Sequence, residues 1–153
     1  MSVRVQEALF DVGTEIGRLR SRDAGALASF IGFVRDFSDR ASVSAMTLEH
    51  YPGMTEKTLA QLESEARERW NILDVTIIHR VGTLYPGDPI VLVCVTSAHR
   101  GDAFQACEFL MDALKTRAPF WKKETTSEGA RWVEARVSDT QASARWHESS
   151  HDK

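Results

Sequence analysis

One run of the chain limits the fold more than any other. Residues 90–96, IVLVCVT, are apolar and lack the alternation of a half-buried strand. A continuous apolar run of this length is typical of a central strand buried on both faces. Two long helices are predicted around it. In the first, at 55–70, apolar residues recur at helical spacing, and the second, at 102–116, ends before Pro119.

The remaining patterns predict short elements. One short helix is expected at 14–20, and strands are expected at 3–10, 26–35, 43–51, 75–81, 120–125 and 131–137. Gly32, inside the second of these strands, marks a bulge or a close approach of the backbone. Because strands cluster and helices are few, the pattern favours an α+β fold over a doubly wound sheet.

Length and composition exclude several classes of protein. At 153 residues the chain allows one domain. It has no apolar run near the ~20 residues of a membrane span and no signal peptide at its N-terminus. Its two cysteines form no CxxC motif, which excludes a disulfide framework and a zinc ribbon. We therefore expect a cytoplasmic, single-domain protein.

A basic segment lies within an acidic chain. The net charge is −3, yet residues 99–123 hold five Lys or Arg against three acids. Such a cluster favours a small anionic ligand or an acidic patch on a partner, and a solvated helix face is the alternative. The acidic total disfavours a general nucleic-acid binder.

The segment 96–102, TSAHRGD, joins the central strand to the second long helix. A helix N-terminus leaves backbone N–H groups unpaired and readily accepts phosphate. His99 and Arg100 would add a titratable donor and a bidentate one. The alternative is that they cap the helix and pair with nearby carboxylates.

The segment 115–124, KTRAPFWKKE, is the densest candidate for chemistry. Lys115 closes the helix, and Lys122 and Lys123 begin the next strand. Adjacent strand residues point to opposite faces, so only one of these two can share a pocket with Lys115. Aromatic neighbours could lower a lysine pKa and make it a nucleophile or an acid/base, whereas lysines at a helix end also simply favour the dipole.

Other polar residues carry weaker signals. Arg35 follows an apolar strand, where it is either an anion ligand or a surface residue. The pair His79 and Arg80 precedes no helix and is interpreted as structural. Cys94 and Cys107 fall in apolar stretches and are expected to be inert core thiols. The histidine spacing predicts no metal site.

Taken in order, the motifs resemble the family of the large, catalytic subunit of molybdopterin synthase. The resemblance covers residues 3–137 and rests on FIGFVRD at 30–36, LEHYPGMTE at 48–56, IHRVG at 78–82, SAHR at 97–100, FLMD at 109–112, LK at 114–115, PFWKKE at 119–124 and WVEAR at 132–136. It implies one catalytic-subunit domain at 1–137, and the residues beyond it, 138–153, are predicted to be a polar, flexible tail.

The resemblance implies a reaction and its partners. The family is a sulfurtransferase that converts cyclic pyranopterin monophosphate into molybdopterin, without a cofactor or metal of its own. The two dithiolene sulfurs come from the C-terminal Gly-Gly thiocarboxylate of a small ubiquitin-like subunit. It further implies a central homodimer of large subunits within a heterotetramer, and an α/β-hammerhead-like fold with a mainly antiparallel sheet and two long helices.

The resemblance also implies the site residues. Lys115 and Lys122 match the family's two key lysines and are the expected catalytic residues. The expected substrate-binding residues are Phe33, Val34, Arg35, His99, Arg100, Lys115, Lys122, Lys123, Glu124 and Arg136. Arg136 could reach the pocket across a homodimer. Two alternative functions stay open: the chain is a non-catalytic docking adaptor for a ubiquitin-like protein, or it is a Schiff-base enzyme that uses Lys115.

Overall fold

The computed structural model describes residues 2–35, 43–126 and 129–133, together with residues 144 and 146. Within these residues the chain forms strands and helices in mixed order. The strands are β1 (Ser2–Gln6), β2 (Ala26–Phe33), β3 (Val43–His50), β4 (Asp74–Arg80), β5 (Gly82–Leu84), β6 (Pro89–Ser97), β7 (Phe120–Thr126) and β8 (Gly129–Val133). The helices are α1 (Val12–Leu19), α2 (Met54–Arg69) and α3 (Arg100–Arg117).

Four strands form the first sheet, in the order β1-β4-β6-β2. Strand β1 pairs with β4 in parallel, and the other pairs are antiparallel. Strand β6 lies between β4 and β2, and every residue from Val91 to Ser97 is buried. The prediction that the run at 90–96 is a central strand buried on both faces is therefore confirmed.

Helices cover both faces of this sheet. Helix α3 packs across β6 and β2, while α2 packs against α3 and β1. Their apolar side chains join those of one sheet face, such as Ile77 and Val93, in the larger core. On the other face α1 contacts β4 and β6, and a smaller core forms around Ile78 and Leu92.

The second sheet has the order β5-β3-β7-β8 and is antiparallel throughout. Its buried face forms a third core with Met46, Leu48 and Leu84 at its centre. Phe120, the first residue of β7, packs against this core and also against the core beneath α2 and α3. The start of β7 is therefore a point where the two sheets meet.

The predicted α+β class, mainly antiparallel with two long helices, is confirmed, and the differences are local. The short strand β5 is absent from the prediction. Helix α1 begins earlier than predicted because Asp11 caps it, its Oδ1 accepting the N–H of Thr14 at 2.9 Å. Strand β1 ends at Gln6 rather than at residue 10, and β8 begins at Gly129, two residues before the predicted start. The predicted end of that last strand, at 134–137, lies outside the described residues.

Trp146 belongs to the segment predicted as a flexible tail, and it packs onto the helices. Its ring lies edge-on to Trp70 and Phe109, and its Nε1 donates to Asp112 Oδ2 at 2.6 Å. The tail at 138–153 and the domain boundary at 137 otherwise stay predictions. In the described part of the chain, no helix combines the length and apolar character that a membrane crossing requires.

Candidate active site

A cavity of about 370 Å³ opens where the two sheets and the end of α3 meet. The first sheet contributes residues from β2, β4 and β6 to its walls. Helix α3 contributes side chains from its last two turns, and β7 of the second sheet closes the remaining side. The cavity is therefore built from elements that are far apart in the chain.

Three cationic side chains line the cavity. Lys115 comes from the last turn of α3, Lys122 from β7, and Arg35 from the segment that follows β2. Lys123, the neighbour of Lys122, is exposed and is not part of this wall, so the alternation predicted for the two lysines is observed. Three cations around one cavity make it a site for an anion.

A turn braces the chain just before Arg35. The N–H of Val34 donates to the carbonyl of Asp88 at 2.9 Å, and the N–H of Gly87 donates to the carbonyl of Val34 at 2.8 Å. The side chain of Val34 is buried in the core of the second sheet. Val34 therefore supports the position of Arg35, and its side chain does not line the cavity.

The apolar wall depends on a bulge in β2. Gly32 pairs with Val91 and Phe33 pairs with Pro89, so Ile90 is skipped. A Cβ at position 32 would lie 2.9 Å from Val91 Cγ1, which only glycine avoids. Both the bulge and the close approach predicted at Gly32 are thus present, and they place the half-exposed ring of Phe33 at the cavity mouth.

His79, near the end of β4, is a polar lining residue, although its sequence context predicts a structural role. Its ring stacks on Phe120 with centroids 3.8 Å apart, and its Nδ1 lies 2.9 Å from the carbonyl oxygen of Arg80. The pKa of His79 is lowered to about 4, mainly by burial; the charges of Lys122 and Lys115 act in the same direction, and the hydrogen bond to Arg80 opposes them. The ring is therefore neutral at pH 7.

The two cysteines lie in the apolar interior. Burial raises the pKa of Cys94 to about 11 and that of Cys107 to about 12. Neither thiol is ionised at neutral pH, and the thiolate is the reactive form. The interpretation of both as inert core thiols is confirmed.

His99 and Arg100 lie at the opposite end of α3 from Lys115. Helix α3 begins at Arg100, so these two residues lie about 22 Å from Lys115 along the helix axis, at 1.5 Å per residue. Both are exposed, and neither lines the cavity. His99 is the N-cap residue, but its side chain makes no capping hydrogen bond within the described chain. A single chain does not bring them to the pocket of Lys115 and Lys122.

Two further predicted site residues cannot be placed relative to the cavity. Glu124 belongs to β7, and Arg136 lies outside the described residues. Among the residues that the structure describes, no three His, Cys, Asp or Glu side chains form a group able to hold a metal ion.

Sequence reasoning missed His79, although its position held a signal. On β4 it shares a face with Val75 and Ile77, which are buried beneath the helices. A histidine that continues an apolar face toward a helix end rich in lysine is a candidate pocket residue.

A protein family and several curated proteins match most of this chain. The model of the family described as "MoaE protein" matches residues 5–117. A curated relative from Ralstonia nicotianae, named molybdopterin synthase catalytic subunit, is 61% identical over 147 residues, which are 95% of this chain and 84% of the relative.

Solved structures share the fold of this chain. The molybdopterin biosynthesis MoaE protein from Burkholderia ambifaria superposes with a TM-score of 0.81 at 56% identity, over 95% of this chain and 97% of that one. A Helicobacter pylori structure, titled a complex of subunits 1 and 2 of molybdopterin-converting factor, shares the fold with a TM-score of 0.72 at 17% identity, over 88% and 91% of the two chains.

Proposed function

The chain belongs to the MoaE family of molybdopterin synthase catalytic subunits, and on that premise we propose that the cavity is where sulfur is transferred to the pterin. The observation that carries this proposal is the convergence of Lys115 and Lys122 on one cavity, together with Arg35. These residues come from a helix, a strand of the other sheet and a braced loop. Lys115 and Lys122 belong to one segment of the chain, 115–124, and the fold brings Arg35 to them from a distant segment.

The proposed substrate is cyclic pyranopterin monophosphate. Its phosphate is a suitable ligand for the Arg35 guanidinium, which can bind two phosphate oxygens at once. The aromatic and aliphatic wall, with Phe30, Phe33 and Met111, suits the flat pterin. A cavity of about 370 Å³ falls within the usual range for small-molecule sites.

The proposed sulfur source is a second protein. Both thiols of this chain are buried and have a raised pKa, so neither is a ready sulfur nucleophile. The resemblance supplies the alternative, a small ubiquitin-like subunit that ends in a Gly-Gly thiocarboxylate. Its sulfur would attack a carbon of the pterin side chain and displace an oxygen from that carbon, either as water or as an oxygen of the phosphate. Water would then cleave the acyl–sulfur bond, which leaves the sulfur on the pterin and releases the carrier as a carboxylate. Two sulfurs therefore require two carriers.

The two lysines receive different roles in this proposal. Lys122 transfers a proton and stabilises the negative charge that develops on the substrate. Lys115 lies beside the terminal carbonyl of the carrier and polarises it. Both roles need an ammonium group held close to the reacting atoms, which a shared cavity wall supports.

The proposal assigns His99 and Arg100 to the pocket of a second copy of the chain. They are exposed and lie about 22 Å from Lys115 along α3, so within one subunit they lie outside the cavity that Arg35 lines. In a two-fold dimer each subunit would lend this pair to its neighbour. Glu124 and Arg136 are also proposed as substrate-binding residues, whereas Lys123 is exposed outside the cavity wall and is not assigned to this pocket. The heterotetramer and the cytoplasmic location belong to the same proposal.

A reconstituted reaction tests the function. The purified protein is mixed with cyclic pyranopterin monophosphate and a thiocarboxylated carrier. The mass of the pterin product is then measured by mass spectrometry. We expect two added sulfurs, and none when the carrier ends in a plain carboxylate. If a stable complex forms and yields no product, the chain is a docking adaptor and the proposal is wrong.

A further inference from the structure

His79 is a buried, titratable residue that the proposed reaction does not use. It is 8% exposed, and it lines the cavity near the end of β4. Its ring can therefore shape the cavity wall without supplying a charge to the substrate.

The hydrogen bond of His79 fixes its tautomer. A carbonyl oxygen only accepts, so Nδ1 carries the hydrogen that is donated to Arg80. The ring is neutral at pH 7, since burial holds the pKa of His79 at about 4 and the charges of Lys122, Lys115 and His50 oppose its protonation. The pocket therefore gains an aromatic wall here without gaining a fourth cation.

The neutral ring packs flat against Phe120. The two ring planes are 20° apart with centroids separated by 3.8 Å, which is closer than most aromatic pairs. A protonated ring at this point would face two lysines. The hydrogen bond, the burial and the stack therefore all restrain the ring of His79 in one orientation.

Phe120 is the link between the two lysines. Helix α3 ends at Arg117, shortly after Lys115, and β7 begins at Phe120. Lys122 is two residues further along the strand and shares a face with Phe120. A shift of Phe120 would move β7 against α3 and change the distance between the two ammonium groups.

We propose that His79 is a positioning residue, whose neutral ring clamps Phe120 and so fixes the spacing of Lys115 and Lys122 around the substrate. The proposal rests on the function proposed above, because it assumes that the lysines act together. It predicts that the flat ring at position 79 matters more for turnover than the hydrogen bond of Nδ1.

Three variants test this role. His79→Phe keeps a ring able to stack on Phe120, His79→Leu removes the stack, and Val75→Ala is a control for lost stability. Val75 lies on the same face of β4, is fully buried and does not line the cavity. The reconstituted reaction gives kcat and KM for each variant, together with the wild type.

We expect His79→Leu to lower kcat by roughly 10- to 100-fold with little change in KM, as misplaced catalytic groups do. His79→Phe should stay within about threefold of wild type, and Val75→Ala should keep its kcat although it unfolds more easily. Wild-type kcat in His79→Leu, or equal losses in His79→Leu and His79→Phe, would overturn the proposal.

A second readout does not depend on turnover. A short amine-specific bifunctional reagent links Lys115 to Lys122, and mass spectrometry gives the yield of that link. The yield should fall in His79→Leu and persist in His79→Phe. An unchanged yield in His79→Leu overturns the positioning role. If the variants show the expected yields but the wild-type protein makes no product, only the proposed function is overturned.

Discussion

The two ends of α3 carry similar residues in different surroundings. At the C-terminal end, Lys115 faces a cavity whose walls come from both sheets and whose other cations are Arg35 and Lys122. At the N-terminal end, His99 and Arg100 are exposed and line no part of that cavity. Both ends carry basic side chains, but only the C-terminal end lines a cavity.

This difference shows that charge alone does not locate a site. A cation on an exposed helix end is well solvated and contributes little, whereas cations on a concave, partly apolar wall concentrate their field on a bound anion. We propose that the C-terminal end is a site in itself and that the N-terminal end becomes part of one only when a second copy of the chain covers it.

The largest effect is expected at the C-terminal end. Lys115→Ala should lower turnover by roughly 10²- to 10⁴-fold, because it removes a positioned ammonium from the reacting atoms. The complex with the carrier should still form, as gel filtration would show. Near-normal turnover would contradict the assignment.

Arg117→Ala is the matched control for Lys115→Ala. It removes a cation from the same last turn of α3, but this guanidinium pairs with Glu65 on the helix surface, at 2.6 Å. Turnover should be unchanged, and the free energy of unfolding should fall by less than about 1 kcal/mol.

Lys122→Arg sharpens the comparison by keeping the charge of the pocket. An arginine is protonated at all relevant pH values and cannot transfer a proton, so we expect kcat to fall by roughly 100-fold while substrate still binds. Isothermal titration with the pterin and steady-state kinetics separate the two effects. Full activity in this variant would leave Lys122 a purely electrostatic role.

Acid should destabilise the folded protein through His79. The pKa of His79 is about 4 in the folded protein and 6.5 in the unfolded chain, so the unfolded chain binds more protons between these values. The free energy of unfolding should therefore fall as the pH drops from about 6.5 to about 4, by up to about 3 kcal/mol.

Urea unfolding across this pH range measures the effect. The groups that oppose protonation come from three elements, namely Lys115 of α3, Lys122 of β7 and His50 of β3. The pH dependence should be smaller in His79→Phe, which has no proton to gain. An identical pH profile in the two proteins would refute the prediction.

The smallest effect is expected in the cavity wall. Gly32→Ala places a Cβ 2.9 Å from Val91 Cγ1, so the wall must shift, at a cost of about 1–3 kcal/mol in the free energy of unfolding. The KM for the pterin should rise with it. Gly17→Ala in α1 is the control, since its Cβ would have no neighbour within 4 Å and should not destabilise the protein.

Much of the fold could be predicted because its signals are local. The apolar run at 90–96, the helical spacing at 55–70 and the alternation of Lys122 and Lys123 each depend on a few neighbouring residues. Strand β5 could not be predicted in this way. It has three residues, too few to show a period, and it exists because β3 offers a partner edge.

The site was less accessible to sequence reasoning, because it depends on tertiary contacts. The motif positions pointed to Lys115, Lys122 and Arg35, and the fold brings these three together. The motifs gave no indication that His79 stacks on Phe120, since this contact joins two sheets. They also assigned His99 to the substrate without showing which copy of the chain it serves.

A subunit-mixing assay tests the contrast between the two ends of α3 most directly. Lys115→Ala and Arg100→Ala are each expected to be inactive, and the two variants are unfolded together and refolded. If each pocket combines Lys115 of one subunit with Arg100 of its neighbour, every mixed dimer has one intact pocket. Half of the dimers are mixed, so about a quarter of wild-type activity should return. If no activity returns, both ends of α3 serve the same pocket within one chain, and the account is wrong.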